Sequence, residues 1–187
     1  DWSRTHVYWS DERFVPPADP RSNEAMTRRT LLDHVPIPSA QIHPMYCPKP
    51  PRQAAQDYAE LLRRLGSGQP PRFDFVLLGI GADGHTASLF PGTQAVTERE
   101  RLVCEVYLPE QDMHRLTLTV PVLNQARLVV FLVSGAGKAA MLRRILTDPA
   151  AEPVPPARLI APQAGQIQWL VDRAAAALLA TEQDDAE

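Results

Sequence analysis

The sequence predicts an α/β protein, a Rossmann-like, doubly wound and mainly parallel sheet with helices on both faces. Two observations carry that expectation. Thr5–Trp9, Phe73–Leu78 and Leu128–Val133 are short runs, apolar on both parities and bounded by Gly, Pro or Asp, which is how strands covered on both faces read. Stretches with helical spacing and capping residues alternate with them. The 187 residues, 44% apolar and 22% charged, are ordinary globular composition, enough for one domain spanning 1–187.

In chain order, Thr5–Trp9 is a strand that runs into the charged turn Asp11, Glu12, Arg13. Ser22–Asp33 is a helix with Ser22 or Asn23 as N-cap, and Gln53–Leu65 a second, stopped by Gly66. Phe73–Leu78 is the next covered strand. Leu102–Leu108 and Arg115–Val120 differ: Leu116, Leu118 and Val120 alternate with polar residues. That is the pattern of a half-buried strand at an edge or added antiparallel, able to pair with its predecessor. Leu128–Val133 is followed by a helix over Lys138–Thr147, ended by Asp148-Pro149, then by a strand near Ile167 and a last helix over Trp169–Ala180. The 19 prolines are roughly twice the ordinary ~5% share and cluster as rigid connectors. The acidic end Glu182–Glu187 reads as a frayed tail.

Charge and cysteine usage narrow the function. Nineteen Lys and Arg against 22 Asp and Glu leave a net charge of −3, with no basic stripe for nucleic acid or a membrane surface. The most apolar run, Leu128–Val133, stops at Ser134-Gly135, far short of the ~20 residues a membrane helix needs. Cys47 and Cys104 have no Cys-x-x-Cys spacing, which excludes a disulfide scaffold or zinc finger and fits a reducing, cytoplasmic setting. A small-molecule partner and a monomer are expected.

Ligand sites in such sheets lie beyond the carboxyl ends of strands. Phe73–Gly92 runs from a strand into Gly79, Gly81, Asp83, Gly84 and His85 before Pro91-Gly92. The three glycines match G-x-G-x-x-G, but Pro91 leaves no room for the helix a dinucleotide site requires. A tight, amide-rich loop presenting His85 remains. The histidine suits proton transfer near neutrality and Asp83 could orient its ring; equally, Asp83 is a turn residue and His85 an ordinary loop histidine. Asp11 and Arg13 would reach the same rim if the two strands are neighbours. Ser134-Gly135-Ala136-Gly137-Lys138 resembles the end of a phosphate loop, but Leu132 and Ala139 break the nucleotide-hydrolysis pattern. Free amides and Lys138 still favour an anion there, against the alternative of a solvated first-turn lysine. Arg115 alone reads as a surface arginine. His6, His34, His43 and His114 show no metal-ligand spacing, and no G-x-S-x-G is present.

Taken together, WSDERFVPPADPRSN, LLGIGADGHTASLFPG, HRLTLTVPVLNQARLVVFLVSGAGKAAML and Trp169-x-x-Asp172 resemble the 6-phosphogluconolactonase family across essentially the whole chain. The resemblance implies hydrolysis of 6-phospho-D-glucono-1,5-lactone in the oxidative pentose phosphate pathway, with no metal or cofactor. It implies His85 as the base that activates water, Asp83 as its assistant, Asp11 and Arg13 at the sugar end, and Arg115 and Lys138 on the 6-phosphate. Backbone N–H groups around Gly79–Gly84, Gly81 and Gly84 included, are expected to face the oxyanion together with Arg13. Members of the family carry a first strand and a Gly-Gly-x-Thr-Pro loop upstream of the segment that begins here at Asp1. The resemblance therefore implies a parent chain whose amino end is missing here, and apolar exposure along the first strand. Two rivals are a glucosamine-6-phosphate deaminase-like isomerase, whose pattern has a glutamate five residues after the histidine where Phe90 stands, and an inactive sugar-phosphate-binding fragment.

Overall fold

The two apolar runs at 73–78 and 128–133 become neighbouring parallel strands. In the computed structural model, which describes residues 1–65 and 71–179, the order is β1 (Val7–Tyr8), β2 (Asp11–Arg13), α1 (Asn23–Thr30), β3 (Ile42–His43), α2 (Pro51–Leu65) and β4 (Val76–Leu78). There follow α3 (Gln94–Thr97), β5 (Val103–Leu108), β6 (Met113–Leu118), α4 (Val120–Leu123), β7 (Leu128–Val133), α5 (Ala139–Thr147) and β8 (Gln166–Val171). Strands β4, β7 and β8 form a parallel sheet with β7 central, β1 and β3 a parallel pair, and β2, β6 and β5 an antiparallel sheet with β6 central. The architecture is mixed α/β, as the sequence predicts. Gly66, Ala180 and the acidic tail lie outside the described residues.

The core is strongest at β7, where Val129, Phe131 and Val133 are buried and Phe131 stacks on Trp169 with ring centroids 4.2 Å apart. A fully buried side chain of that size contributes about 2–3 kcal/mol. Helix α1 is capped by Ser22, whose side chain accepts from the Ala25 amide, as its sequence predicts. Helix α2 buries Ala54, Ala55, Tyr58, Ala59 and Leu62, one face at helical spacing, packed on β5. Arg158 closes the end of α5 by donating to the carbonyls of Arg144 and Ile145.

Two expectations are corrected. Trp169 lies on β8, and the helix over Trp169–Ala180 is not formed: β8 runs to Val171 and turns follow. The alternation of Ile167, Trp169 and Val171 lets this segment pair with β7 over six residues, which holds Trp169–Val171 extended where the expected helix would start. Strand β6 is the central strand of its sheet, not an edge. β2 and β5 flank it, and its polar positions Arg115 and Thr117 are buried too, at 9% and 0% exposure, with Phe90 against Arg115 and the Ser88 amide on Thr117 Oγ1. Its alternation therefore separates an apolar side from a buried polar one. On the first strand, Val7 and Tyr8 are half-buried. Leu77, Leu132 and Leu170 are each more than half exposed, on one face of the β4-β7-β8 sheet.

Candidate active site

Strand β2 is three charged residues long, and its centre explains why it is a strand. Glu12 is 1% exposed. Its carboxylate accepts from the amides of Arg13, Asn23 and Glu24 and from the Ser22 hydroxyl. A carboxylate on the first-turn amides of a helix satisfies donors that have no partner inside the helix. It bolts β2 to the start of α1, and Asn23 Nδ2 adds a bond to the Asp11 carbonyl. With Glu12 turned into the fold, Asp11 and Arg13, its strand neighbours, face the opposite side, where they line a cleft of about 260 Å³.

The other wall comes from the loop after β4. His85 Nδ1 lies 2.6 Å from Asp83 Oδ1, which also accepts from the His85 amide. With a carboxylate on Nδ1, that nitrogen carries the proton and Nε2 holds the lone pair, the tautomer a base needs. Burial pushes the Asp83 carboxyl up, but the His85 amide and ring outweigh it and hold it below the usual carboxylate range. Gly81 makes the pair possible: a Cβ there would meet the His85 ring and Asp83 Oδ1 at 2.1 to 2.4 Å. Gly84 adopts φ +84° and a Cβ would strike Pro155. Their amides are spent on the loop itself, Gly81 on the His85 carbonyl and Gly84 on the Gly81 carbonyl. Neither glycine lines the cleft; Gly79 and Ile80 do, so the two glycines shape the loop.

Cleft and charge meet at Asp11 and two arginines. Arg13 and Arg115 are directly opposite across β2 and β6, like charges that repel unless something negative joins them. Arg13 Nη1 donates to the Arg21 carbonyl and Arg115 Nη2 to Gln111 Oε1. Both Nε atoms are buried with no hydrogen-bond partner among the described residues, a cost that an anion would relieve. Asp11 Oδ2 accepts from Ser88 Oγ at 2.7 Å and lies 3.9 Å from Arg115 Nη1. Burial pushes the Asp11 carboxyl up, opposed by Ser88, Arg115, Arg13 and His85. Burial and the Arg13 charge in turn lower the Arg115 guanidinium. Phe90 lies between the two walls, 4.1 Å from the His85 ring and 5.4 Å from Arg115 Cζ.

Asp11, Arg13, His85 and Arg115 thus share one cleft, with Asp83 behind His85. Lys138 is not in its lining: it is half-buried ahead of α5, without an ion pair among the described residues. Asp172 holds its loop through Ser134 Oγ and the Gly135 amide. Ser88, Gln111 and Thr117 were not singled out from sequence; each acts through a contact that local spacing does not announce. Two histidines set aside as non-ligating do meet: His6 Nδ1 and His43 Nε2 are 3.0 Å apart with ring planes 6° apart and centroids 5.3 Å apart. At that distance one ring nitrogen donates and the other accepts. A larger hollow of about 360 Å³ beside Pro121 and Asn124 has Arg72 as its charged residue, and Arg72 is already spent on the Ala164 carbonyl.

A sequence profile described as glucosamine-6-phosphate isomerases/6-phosphogluconolactonase matches residues 1–169. A 6-phosphogluconolactonase from Synechocystis sp. is 46% identical over 178 residues, 93% of this chain and 73% of its own length. One from Homo sapiens is 44% identical over 179 residues, 95% of this chain and 69% of its own. The crystal structure of a devB protein superposes with a TM-score of 0.88 at 37% identity, covering 96% of this chain and 76% of that one. The chain belongs to the family of glucosamine-6-phosphate isomerases and 6-phosphogluconolactonases, on its 6-phosphogluconolactonase branch.

Proposed function

We propose that this single-domain protein hydrolyses 6-phospho-D-glucono-1,5-lactone to 6-phospho-D-gluconate, the reaction its relatives are named for. The observation that carries the site assignment is the convergence of an Asp-oriented histidine and two cross-strand arginines with unpartnered Nε atoms on one cleft. A δ-lactone is an activated ester, so an oriented water, a base and oxyanion donors suffice. His85 Nε2 takes a proton from water as its oxygen adds to C1. The carbonyl oxygen becomes an oxyanion facing Arg13 and the backbone at Gly79 and Ile80. The C1–ring-oxygen bond then breaks, and the leaving oxygen takes the proton back from His85. Asp83 keeps the ring oriented and steadies its charged form. Arg115 receives the phosphate dianion, and Asp11 accepts from a sugar hydroxyl while balancing the two guanidiniums.

The isomerase alternative needs an acid at position 90 for amine chemistry. Phe90 occupies it and packs on the His85 ring, which favours the lactonase. Among the described residues no helix is long and apolar enough to cross a membrane. The free thiols Cys47 and Cys104 support placing the enzyme in the reducing cytoplasm, and we read it as a monomer. A coupled assay on freshly generated lactone, at a pH where spontaneous hydrolysis is slow, tests the reading. His85→Asn lowers kcat by roughly 10²-fold or more; turnover at the parent rate would remove His85 from the mechanism. Phosphate-sensitive binding without turnover by the parent protein would instead favour the binding module.

A further inference from the structure

The loop that carries His85 and the strand that carries Asp11 are tied together by a buried side-chain hydrogen bond, Ser88 Oγ to Asp11 Oδ2 at 2.7 Å. Ser88 itself is 0% exposed. We infer that Ser88 is a positioning residue for the hydrolysis proposed above, on which this assignment rests: its hydroxyl fixes the Asp11 carboxylate and seats the His85 loop on β2.

Three features support the clamp. An ionised carboxylate only accepts, so the hydroxyl must donate, and it engages Oδ2, the same oxygen that faces Arg115. Asp11 Oδ1 has no hydrogen-bond partner among the described residues and is the oxygen left for a ligand. Next to Ser88, Ala87 is held at φ 47°, left-handed backbone that an alanine adopts only when its surroundings impose it. Its two neighbours impose it: Thr86 Oγ1 donates to the Gly79 carbonyl, and the Ser88 amide donates to Thr117 Oγ1. The loop is thus pinned by Thr86 to the end of β4 and by Ser88 to both β6 and β2, and only the pin to β2 ends on a charged group of the site.

The charge state of Asp11 follows from what surrounds it. Arg115 faces it from β6, Arg13 from β2 and His85 from the loop, while Glu12 beside it is turned away into α1. Against their attraction stands desolvation by burial, which favours the neutral carboxyl. Removing the hydroxyl removes a hydrogen bond that exists for the ionised form, so Asp11 would titrate higher and the active ionised enzyme would be lost at higher pH.

The test compares three variants by lactone assay across pH and by carboxyl-carbon NMR titration of Asp11 in the ligand-free protein. Ser88→Ala is expected to lower kcat about tenfold with KM changed less than about threefold, and to move the acid limb of kcat/KM and the Asp11 titration up by about one pH unit. Ser88→Cys, similar in size but a weaker donor, falls between; if the alanine variant fails to fold, the cysteine variant carries both readouts. Thr117→Val removes the acceptor for the Ser88 amide, and with it the Thr117 Oγ1 bond to the Leu118 carbonyl, while leaving the Ser88 hydroxyl on Asp11, and is expected to lower Tm while leaving the acid limb in place. An unmoved limb and titration in the Ser88 variants would overturn the inference, as would an equal shift in Thr117→Val, which would make loop anchoring and not the hydroxyl responsible. If the parent protein hydrolyses no lactone, the functional reading fails separately. The Asp11 titration then decides the clamp alone, an upward shift in Ser88→Ala supporting it and no shift rejecting it.

Discussion

The ends of β2 and β7 use the same device with opposite results. In each, a carboxylate from elsewhere along the chain or strand gathers the amides of a turn that leads towards a helix. Glu12 takes the amides of Arg13, Asn23 and Glu24 with the Ser22 hydroxyl; Asp172 takes the amides of Gly135 and Ala175 with the Ser134 hydroxyl. Glu12 is buried and Asp172 is exposed. Burial makes the first a rigid mount that points Asp11 and Arg13 into the cleft. Exposure leaves the second a surface loop whose Lys138 stays out of the cleft lining. A glycine-rich strand end with a lysine attracts attention in a sequence, yet what builds a site is a buried, fully bonded support.

The sharpest way to break this comparison is Glu12→Gln. The amide keeps the shape but presents an NH2 where backbone donors already point, leaving buried donors unmet. A loss of about 3 kcal/mol is expected, which lowers Tm by roughly 6–12 °C for a domain of this size, with a fall in kcat/KM as Asp11 and Arg13 lose their mount. Thermal unfolding and the lactone assay read both. A Tm within ~2 °C of the parent would mean that α1 and β2 are held by something other than this carboxylate.

The second test separates the two cations. Arg115 is buried with an unpartnered Nε, so it is built to meet an anion, whereas Lys138 stands outside the lining. Arg115→Met should raise KM by roughly 10²-fold, the equivalent of about 2.7 kcal/mol of lost charged hydrogen bonding. Lys138→Ala should raise it less than about threefold. Equal effects would show that substrate reaches both strand ends at once and would dissolve the distinction between mount and loop.

Much of this site was legible because strand ends are. Asp11, Arg13, Asp83 and His85 each follow an apolar run, and strand ends are where sites of α/β proteins gather, although here the two runs belong to different sheets and meet through β2 and the loop after β4. Arg115 was not legible from its own segment. Alternation in Arg-Leu-Thr-Leu looks like one wet and one dry face, and nothing local says that the wet-looking face is covered by the His85 loop. Ser88 lies 77 residues from its partner Asp11, and Gln111 matters through the Arg115 guanidinium alone. In the fold, the helix expected over Trp169–Ala180 failed for the same reason. Pairing with β7, a long-range fact, draws Trp169–Val171 into a strand ahead of the alanines. Position along the chain announces where charges surface; partners distant in sequence decide which are sealed in.

The mildest test bears on the exposed member of the pair. Asp172 has its carboxyl held below the usual range by the Ala175 amide and the Ser134 hydroxyl, with the Gly135 amide adding to them. A carboxyl with a depressed folded-state pKa contributes stability above its unfolded pKa, about 3.9. That contribution is lost as pH falls through the folded value. Asp172→Asn should therefore leave Tm at pH 7 within about 2 °C of the parent, as surface substitutions do, and the small difference should fade only in acid, as pH drops from the unfolded value through the depressed folded one. Added salt should shrink it, since the group is solvent-screened. A drop at pH 7 as large as that of Glu12→Gln would show that exposure does not weaken this clamp, and that β7's end is as firmly built as β2's.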